Sequence, residues 1–243
     1  MNRLEGRNAV LEALKHGVPI DKILIRRGEF TGTLRLIAAK AREAGVPVSE
    51  TDARKLDEMS QSRNHQGVVA ICPVKEYADV SDILRIAADK NEEPFIIILD
   101  SVTDTYNLGA VIRTAEACGA HGVIIPKRRS ATLTGMVSKS SAGAAEYIPV
   151  ARVSNIVNTI ESLKKQNIWI VAADMSGTDL YETEIGGAVA LVVGGEGAGV
   201  ARLIKEKSDF IVKIPMFGKI PSLNSSVAAG VIMYEIVRRR ARR

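Results

Sequence analysis

Along the first seventy residues, short apolar runs alternate with amphipathic stretches, and each change of period is marked by glycine, proline or a polar cluster. Leu4, Val10, Leu11 and Leu14 share one face of a predicted first helix, which Gly17 and Pro19 end before a short strand from Lys22 to Ile25. A helix from Thr33 to Ala44 closes at Gly45. A strand, Val46 to Val48, and a helix, Asp52 to Met59, come next. The polar loop Gln61-Ser-Arg-Asn-His-Gln-Gly67 then leads into a strand, Val68 to Cys72. Together these make a small α/β unit over residues 1–75. Residues 76–93 are charged, with a helical middle from Val80 to Ala88, and read as a linker.

From residue 94 onward the pattern changes. Phe95-Ile-Ile-Ile-Leu99 is uninterruptedly apolar, as a strand buried on both faces of a parallel sheet must be. Helices and strands then alternate. Helices are predicted over Leu108 to Cys118, Thr132 to Ala142, Asn155 to Gln166 and Ala201 to Lys207; strands over Gly122 to Ile125, Tyr147 to Val150, Ile168 to Ala172, Ala190 to Val193 and Phe210 to Ile214. A last helix, Ser225 to Val237, rich in small residues, follows a Gly/Pro loop and is capped by Ser222 or Asn224. The expected architecture is a small N-terminal α/β domain followed by an α/β domain, residues 94–243, on a mostly parallel sheet.

Composition narrows the function. Aromatic residues make up only 4% of the chain, too few for a broad base-stacking sheet. No apolar run approaches the roughly 18 residues a membrane helix needs, and the N-terminus lacks the apolar core of a signal peptide, so a cytoplasmic location is expected. Cys72 and Cys118 stand far apart without metal-ligand spacing, and no metal site is expected. The net charge of +5 is uneven: residues 1–75 hold 13 Lys/Arg against 9 Asp/Glu, and the remainder 20 against 19. Lys127, Arg128 and Arg129 form one basic cluster, and five arginines crowd residues 238–243. Such patches attract phosphate, and they also serve simply as solvated surface. Arg63, Asn64, His65 and Gln66 are candidates to touch RNA; His65 can equally well serve to hydrogen-bond its own loop.

Ligands of open α/β sheets collect at the carboxyl ends of the strands. Three loops there carry chemistry. The first, Asp100 to Glu116, places Asn107 where a helix cap would stand and Arg113 about two turns beyond. The second, Gly194-Gly-Glu-Gly-Ala-Gly199, is neither a P-loop nor a dinucleotide fingerprint, since no Lys-Ser/Thr follows and residue 200 is valine. It reads either as bare backbone for a cofactor or as a flexible hairpin. The third, Met216 to Asn224, is bent by Pro215, Gly218 and Pro221.

Taken together, Asn107-Leu-Gly-Ala-Val-Ile-Arg-Thr-Ala115, Leu191-Val-Val-Gly-Gly-Glu-Gly-Ala-Gly199 and Ile214-Pro-Met-Phe-Gly-Lys-Ile-Pro-Ser-Leu-Asn-Ser-Ser-Val-Ala228 resemble, in order, the three signature motifs of the SpoU family. These are RNA ribose 2′-O-methyltransferases of the SPOUT superfamily. Ile125 to Ser130, Ser141 to Glu146 and His65-Gln-Gly-Val68 extend the likeness over nearly the whole chain. Thr105 stands where relatives often have proline, and Ser225 where they often have valine. The likeness is strongest to the RlmB-like subgroup. It implies an L30e-like RNA-binding N-terminal domain, a trefoil-knotted C-terminal domain, a homodimer packed through the last helix, and methylation of a guanosine ribose in 23S rRNA. S-adenosylmethionine is the implied cofactor, with no metal. Position by position, the resemblance places Gly194, Ile214 and Leu223 against the cofactor, with Ala173, Met175, Gly195, Gly199 and Met216 around them. It places Arg113, Asn107, Glu196, Ser222 and Asn224 at the reacting groups, with Arg113 as the general base; an equally physical reading of the cation makes Arg113 a clamp on RNA phosphate.

Overall fold

The computed structural model describes residues 2–28, 32–60, 64–73, 75–197 and 199–241. They divide into two compact units, Met1–Glu76 with Thr132–Gly135, and Tyr77–Ala131 with Met136–Arg243.

The first unit is a four-stranded sheet. Strands β1 (Asn2–Glu5), β2 (Lys22–Arg26), β3 (Val48–Thr51) and β4 (Val68–Cys72) lie in the order β1-β4-β2-β3, with β4 antiparallel to both neighbours and β2 parallel to β3. Val68 and Ala70 face Val10 of helix α1 (Arg7–Lys15) and Leu34 and Ile37 of α2 (Gly32–Glu43), while Val69 turns to the other face, against Leu56 of α3 (Ala53–Met59). The period-two alternation of β4 thus seats helices on both faces.

Two expectations are corrected here. Leu4 lies in a strand, paired with Ala70, and the first helix begins only after Gly6, whose φ of 89° turns the chain out of the ladder. The third strand begins at Val48, not Val46. The amide of Val46 bonds back to the Ala41 carbonyl, closing α2 around Gly45 at φ 67°, and the ladder opens only beyond Pro47.

The second unit is built on six parallel strands: β5 (Phe95–Asp100), β6 (Gly122–Pro126), β7 (Val150–Val153), β8 (Trp169–Asp179), β9 (Val189–Gly194) and β10 (Phe210–Lys213), in the order β10-β8-β9-β5-β6-β7. Every residue of β5 and β9 is buried, as their unbroken apolar character requires. On one face Ile96, Ile98 and Val192 pack with Ile83 of α4 (Val80–Asp89), Ile160 of α7 (Ile156–Lys164) and Ile204 of α8 (Arg202–Lys207). Helices α5 (Thr105–Ala117) and α9 (Ser225–Arg240) pack on each other; α5 also meets β6, and α9 meets β8 and β9. The stretch read as a linker belongs to this second unit, because α4 buries Ile83 and Ala87.

Other boundaries shift for local reasons. Helix α6 is only Gly135–Ser140, since Ala142 and Gly143 take positive φ. Residues Ala144–Glu146 form a 3-10 turn, so β7 starts at Val150, after Pro149. Helix α9 runs to Arg240, and its arginines are structural. Arg238 and Arg239 both bind the buried carboxylate of Glu235, and Arg240 donates to the carbonyls of Glu93, Pro94 and Gly187. Arg238 at bonding distance first, then Arg239, hold the Glu235 carboxyl down at about 2. Among the described residues no helix is long and apolar enough to cross a membrane.

Candidate active site at the carboxyl ends of the strands

Asp100, the last residue of β5, organises the glycine loop. Its carbonyl accepts the Gly195 amide at 2.8 Å, its Oδ2 accepts the Ala201 amide at 2.8 Å, and its Oδ1 accepts the Ser101 hydroxyl at 3.1 Å. The loop is thereby tied near both ends. Within it Gly199 donates to the Gly195 carbonyl at 3.1 Å, and the two residues form an antiparallel bridge. A Cβ on Gly194 would lie 2.1 Å from the Gly199 carbonyl carbon, and one on Gly195 would lie 2.3 Å from the Ser101 oxygen. Glycine is required at both positions by close backbone approach.

The first residues of α5 then meet this loop. Asp104, rather than Asn107, caps α5: its Oδ1 accepts the Asn107 amide at 2.8 Å. That frees the Asn107 side chain, whose Nδ2 donates to Glu196 Oε1 at 2.9 Å. Asn224 caps α9, its Oδ1 accepting the amides of Ser226 and Val227. Its Nδ2 reaches Glu196 Oε1 at 2.7 Å and Asn107 Oδ1 at 3.0 Å. Three segments far apart in the chain are therefore joined by one closed set of amide and carboxylate hydrogen bonds. Arg113, farther along α5, is exposed, and among the described residues its guanidinium has no partner. Ser222 is exposed in the third loop.

Beside this network lies a cleft of about 590 Å³ at the ends of β8, β9 and β10. All eight residues expected around a cofactor line it: Ala173 and Met175 in the unpaired middle of β8, Gly194, Gly195 and Gly199 in the glycine loop, and Ile214, Met216 and Leu223 in the third loop. Glu196, Ser222 and Asn224 line it too, whereas Arg113 does not. The walls combine bare backbone with aliphatic and thioether side chains, as an adenosine-sized ligand needs. Among the described residues no group of three or more His, Cys, Asp or Glu converges as metal ligands would.

Two charged residues that line the cleft, Asp174 and Lys213, were not singled out in the sequence. Asp174 Oδ1 accepts the Ser176 amide at 3.0 Å and hydroxyl at 2.6 Å, and Oδ2 accepts Lys205 Nζ at 2.9 Å. Burial opposes its ionisation, but the Ser176 bonds and the Lys205 ammonium outweigh it and hold the carboxyl below its ordinary value. Only the i, i+2 spacing of Asp174 and Ser176 hinted at this turn.

The expected RNA contacts are distributed. Lys127, Arg128 and Arg129 follow β6, at the same end of the sheet as the cleft, with Arg128 and Arg129 exposed. In the first unit Arg63 lies outside the described residues. The ring of His65 is buried, with Nδ1 accepting the Gly67 amide at 3.0 Å and Nε2 3.0 Å from Asp57; it holds its own loop. Exposed Gln66 accepts from the backbone and side chain of Arg7.

Comparison with known proteins agrees with this geometry. The SpoU rRNA Methylase family matches residues 94–234, and the RNA 2′-O ribose methyltransferase substrate binding family matches residues 3–78. A Bacillus subtilis protein named as a TrmH family tRNA/rRNA methyltransferase is 45% identical over 236 residues, covering 97% of this chain and 94% of its own. The crystal structure of the SpoU methyltransferase AviRb from Streptomyces viridochromogenes, in complex with AdoMet, superposes with a TM-score of 0.63 at 26% identity, over 99% of this chain and 91% of that one. An AdoMet-bound rRNA methyltransferase from Sinorhizobium meliloti has a TM-score of 0.56 at 26% identity, over 98% and 86%.

Proposed function

Because the chain belongs to the SpoU rRNA methylase family, we propose that it transfers a methyl group from S-adenosylmethionine to a ribose 2′-hydroxyl, and that the acceptor is a guanosine of 23S rRNA. The observation that carries this reading is the junction of Asn107, Glu196 and Asn224, drawn from three separate segments, at the rim of a glycine-walled cleft. When bound, the cofactor supplies an electrophilic methyl group on a sulfonium sulfur. Gly194, Gly195 and Gly199 offer it uncovered backbone, and Ile214, Met216 and Leu223 offer apolar walls.

Transfer needs the acceptor oxygen held in line with the methyl group, so positioning supplies much of the acceleration. Glu196 fixes both Asn107 and Asn224, which gives the cleft one defined rim. Arg113 is the acceptor-side cation. A guanidinium is a planar, delocalised cation with donors and no acceptor, so it clamps RNA phosphate and steadies charge developing on the ribose oxygen instead of taking its proton. Exposed Arg128 and Arg129 extend the basic surface at the same sheet end. Residues 1–75 add four net positive charges and serve as the RNA-binding domain, in an L30e-like fold.

The working unit in this reading is a homodimer, with the C-terminal domain threaded as a trefoil knot. Val227 and Tyr234, both more than half exposed on α9, supply apolar surface that its own subunit leaves uncovered. A chain carrying Arg113→Ala mixed with one carrying Gly194→Trp then recovers partial activity, and a fully active monomer contradicts the dimer. Transfer RNA is the second acceptor to consider, favoured by the tRNA/rRNA naming of the Bacillus relative. Mapping ribose methylation in total RNA from cells with and without the gene decides between them: the expected result is loss of one 2′-O-methylguanosine in 23S rRNA, and loss of a tRNA mark overturns the rRNA assignment.

A further inference from the structure

Asp174 sits where the sheet opens. The ladder between β8 and β9 ends at Ala172, paired with Val192. The ladder between β8 and β10 jumps from Ala172, opposite Ile211, to Thr178, opposite Val212. Residues 173–177 therefore leave both ladders and form the wall of the cleft at Ala173, Asp174 and Met175. Gly177 makes the return possible, since a Cβ there would lie 2.4 Å from the Ile211 carbonyl oxygen.

The carboxylate of Asp174 is already oriented. Ser176 fixes Oδ1 and Lys205 fixes Oδ2, while the side chain keeps 17% of its surface exposed. Across from it, a Cβ on Gly199 would stand 3.7 Å from Oδ2, so the bare backbone at Gly199 leaves the approach to that oxygen clear. An ionised carboxylate so placed has acceptor capacity left, because two oxygens offer about four lone-pair sites. Its charge is balanced by Lys205. A second cation arriving at Oδ2 would meet the ammonium already there, whereas a neutral hydroxyl donor would not.

We infer that Asp174 accepts hydrogen bonds from the ribose hydroxyls of the nucleoside cofactor and so selects an intact ribose. This deepens the methyltransferase reading and rests on it. A hydrogen bond to a charged acceptor corresponds to about a ten- to hundredfold change in affinity.

Titration calorimetry of the full-length protein tests it with S-adenosylhomocysteine and its 2′-deoxy and 3′-deoxy analogues. The wild type is expected to bind the parent compound at least tenfold more tightly than one or both analogues. Asp174→Ala is expected to bind all three alike, at the level of the weaker analogue. Asp174→Asn keeps the side-chain shape and is expected to fold with reduced discrimination, so the question stays open to refutation if the alanine variant unfolds. Adenosine against its deoxy forms should show the same dependence on Asp174; dependence confined to ligands bearing the amino-acid group would overturn the ribose assignment in favour of the ammonium. Undiminished discrimination in both variants, or none in the wild type, overturns the inference while the methyltransferase reading stands. A wild type that binds none of these ligands sinks both.

Discussion

Asn224 Nδ2 stands 2.7 Å from Glu196 Oε1 while Asn224 Oδ1 caps the helix that follows. One side chain thus does two separable things, and substitutions can part them. Asn224→Asp keeps a good cap, so its melting temperature should stay within a few degrees, but it sets a carboxylate against Glu196. Transfer is expected to fall about 10²-fold or more, the scale of a lost positioned donor. Asn224→Ala should in addition lose about 1 kcal/mol of stability with the cap. Equal activity in Asn224→Asp and wild type would show that the junction is scaffolding only. Thermal melts and steady-state rates on the same preparations make the comparison.

Gly195→Ala drives a Cβ to within 2.3 Å of the Ser101 carbonyl oxygen, which is backbone and cannot swing aside. The expected cost is about 1–3 kcal/mol, with cofactor affinity reduced as the cleft wall shifts. Gly218→Ala is the control, since a Cβ there meets nothing within 4 Å. Denaturant melts and binding isotherms for the pair should separate clearly.

Arg113→Ala should leave cofactor affinity within about threefold and lower transfer about 10²–10³-fold, as expected for an acceptor-side cation. Arg113 is exposed and outside the cleft, so its loss costs little packing. A large loss of cofactor affinity would move it to the other side of the reaction.

Glu235 ties the fold to pH. Its folded pKa lies near 2 against an ordinary 4.5, so the carboxylate contributes stability that is fully present above pH 4.5 and is lost as pH falls toward 2. The contribution is about 2–3 kcal/mol. Glu235→Gln should flatten that part of the acid limb of the stability curve, measured by urea melts between pH 2 and pH 6.

Where apolar runs were long, sequence and structure agree closely: Val68–Cys72 and the Phe95 strand are where their side chains place them. Burial on both faces leaves such segments little freedom. Leu4 misled because Asn2–Glu5 is too short and polar to show an alternation, and its strand exists only through the ladder to β4. The charged flanks of α4 hid a buried face at Ile83 and Ala87. At the site, the motif residues could be named in advance, but the bonds between them could not. Asn107 has the character of a cap, yet Asp104 takes that role and releases Asn107 to Glu196, a choice made by tertiary contact. The roles of Asp100 and Asp174 are illegible in the sequence for the same reason. Their partners, Ala201 and Lys205, lie 101 and 31 residues away.

The most direct test of the central claim is chemical. The protein is incubated with cofactor labelled in the methyl group and with RNA from cells lacking the gene, and the RNA is then hydrolysed in alkali. A ribose 2′-O-methyl group removes the nucleophile that alkali needs, so the account predicts label in an alkali-resistant dinucleotide beginning with guanosine, lost with Arg113→Ala. Label released as a mononucleotide would mean methylation of a base, and no label in RNA under conditions of saturated cofactor binding would mean no transfer; either result contradicts the account.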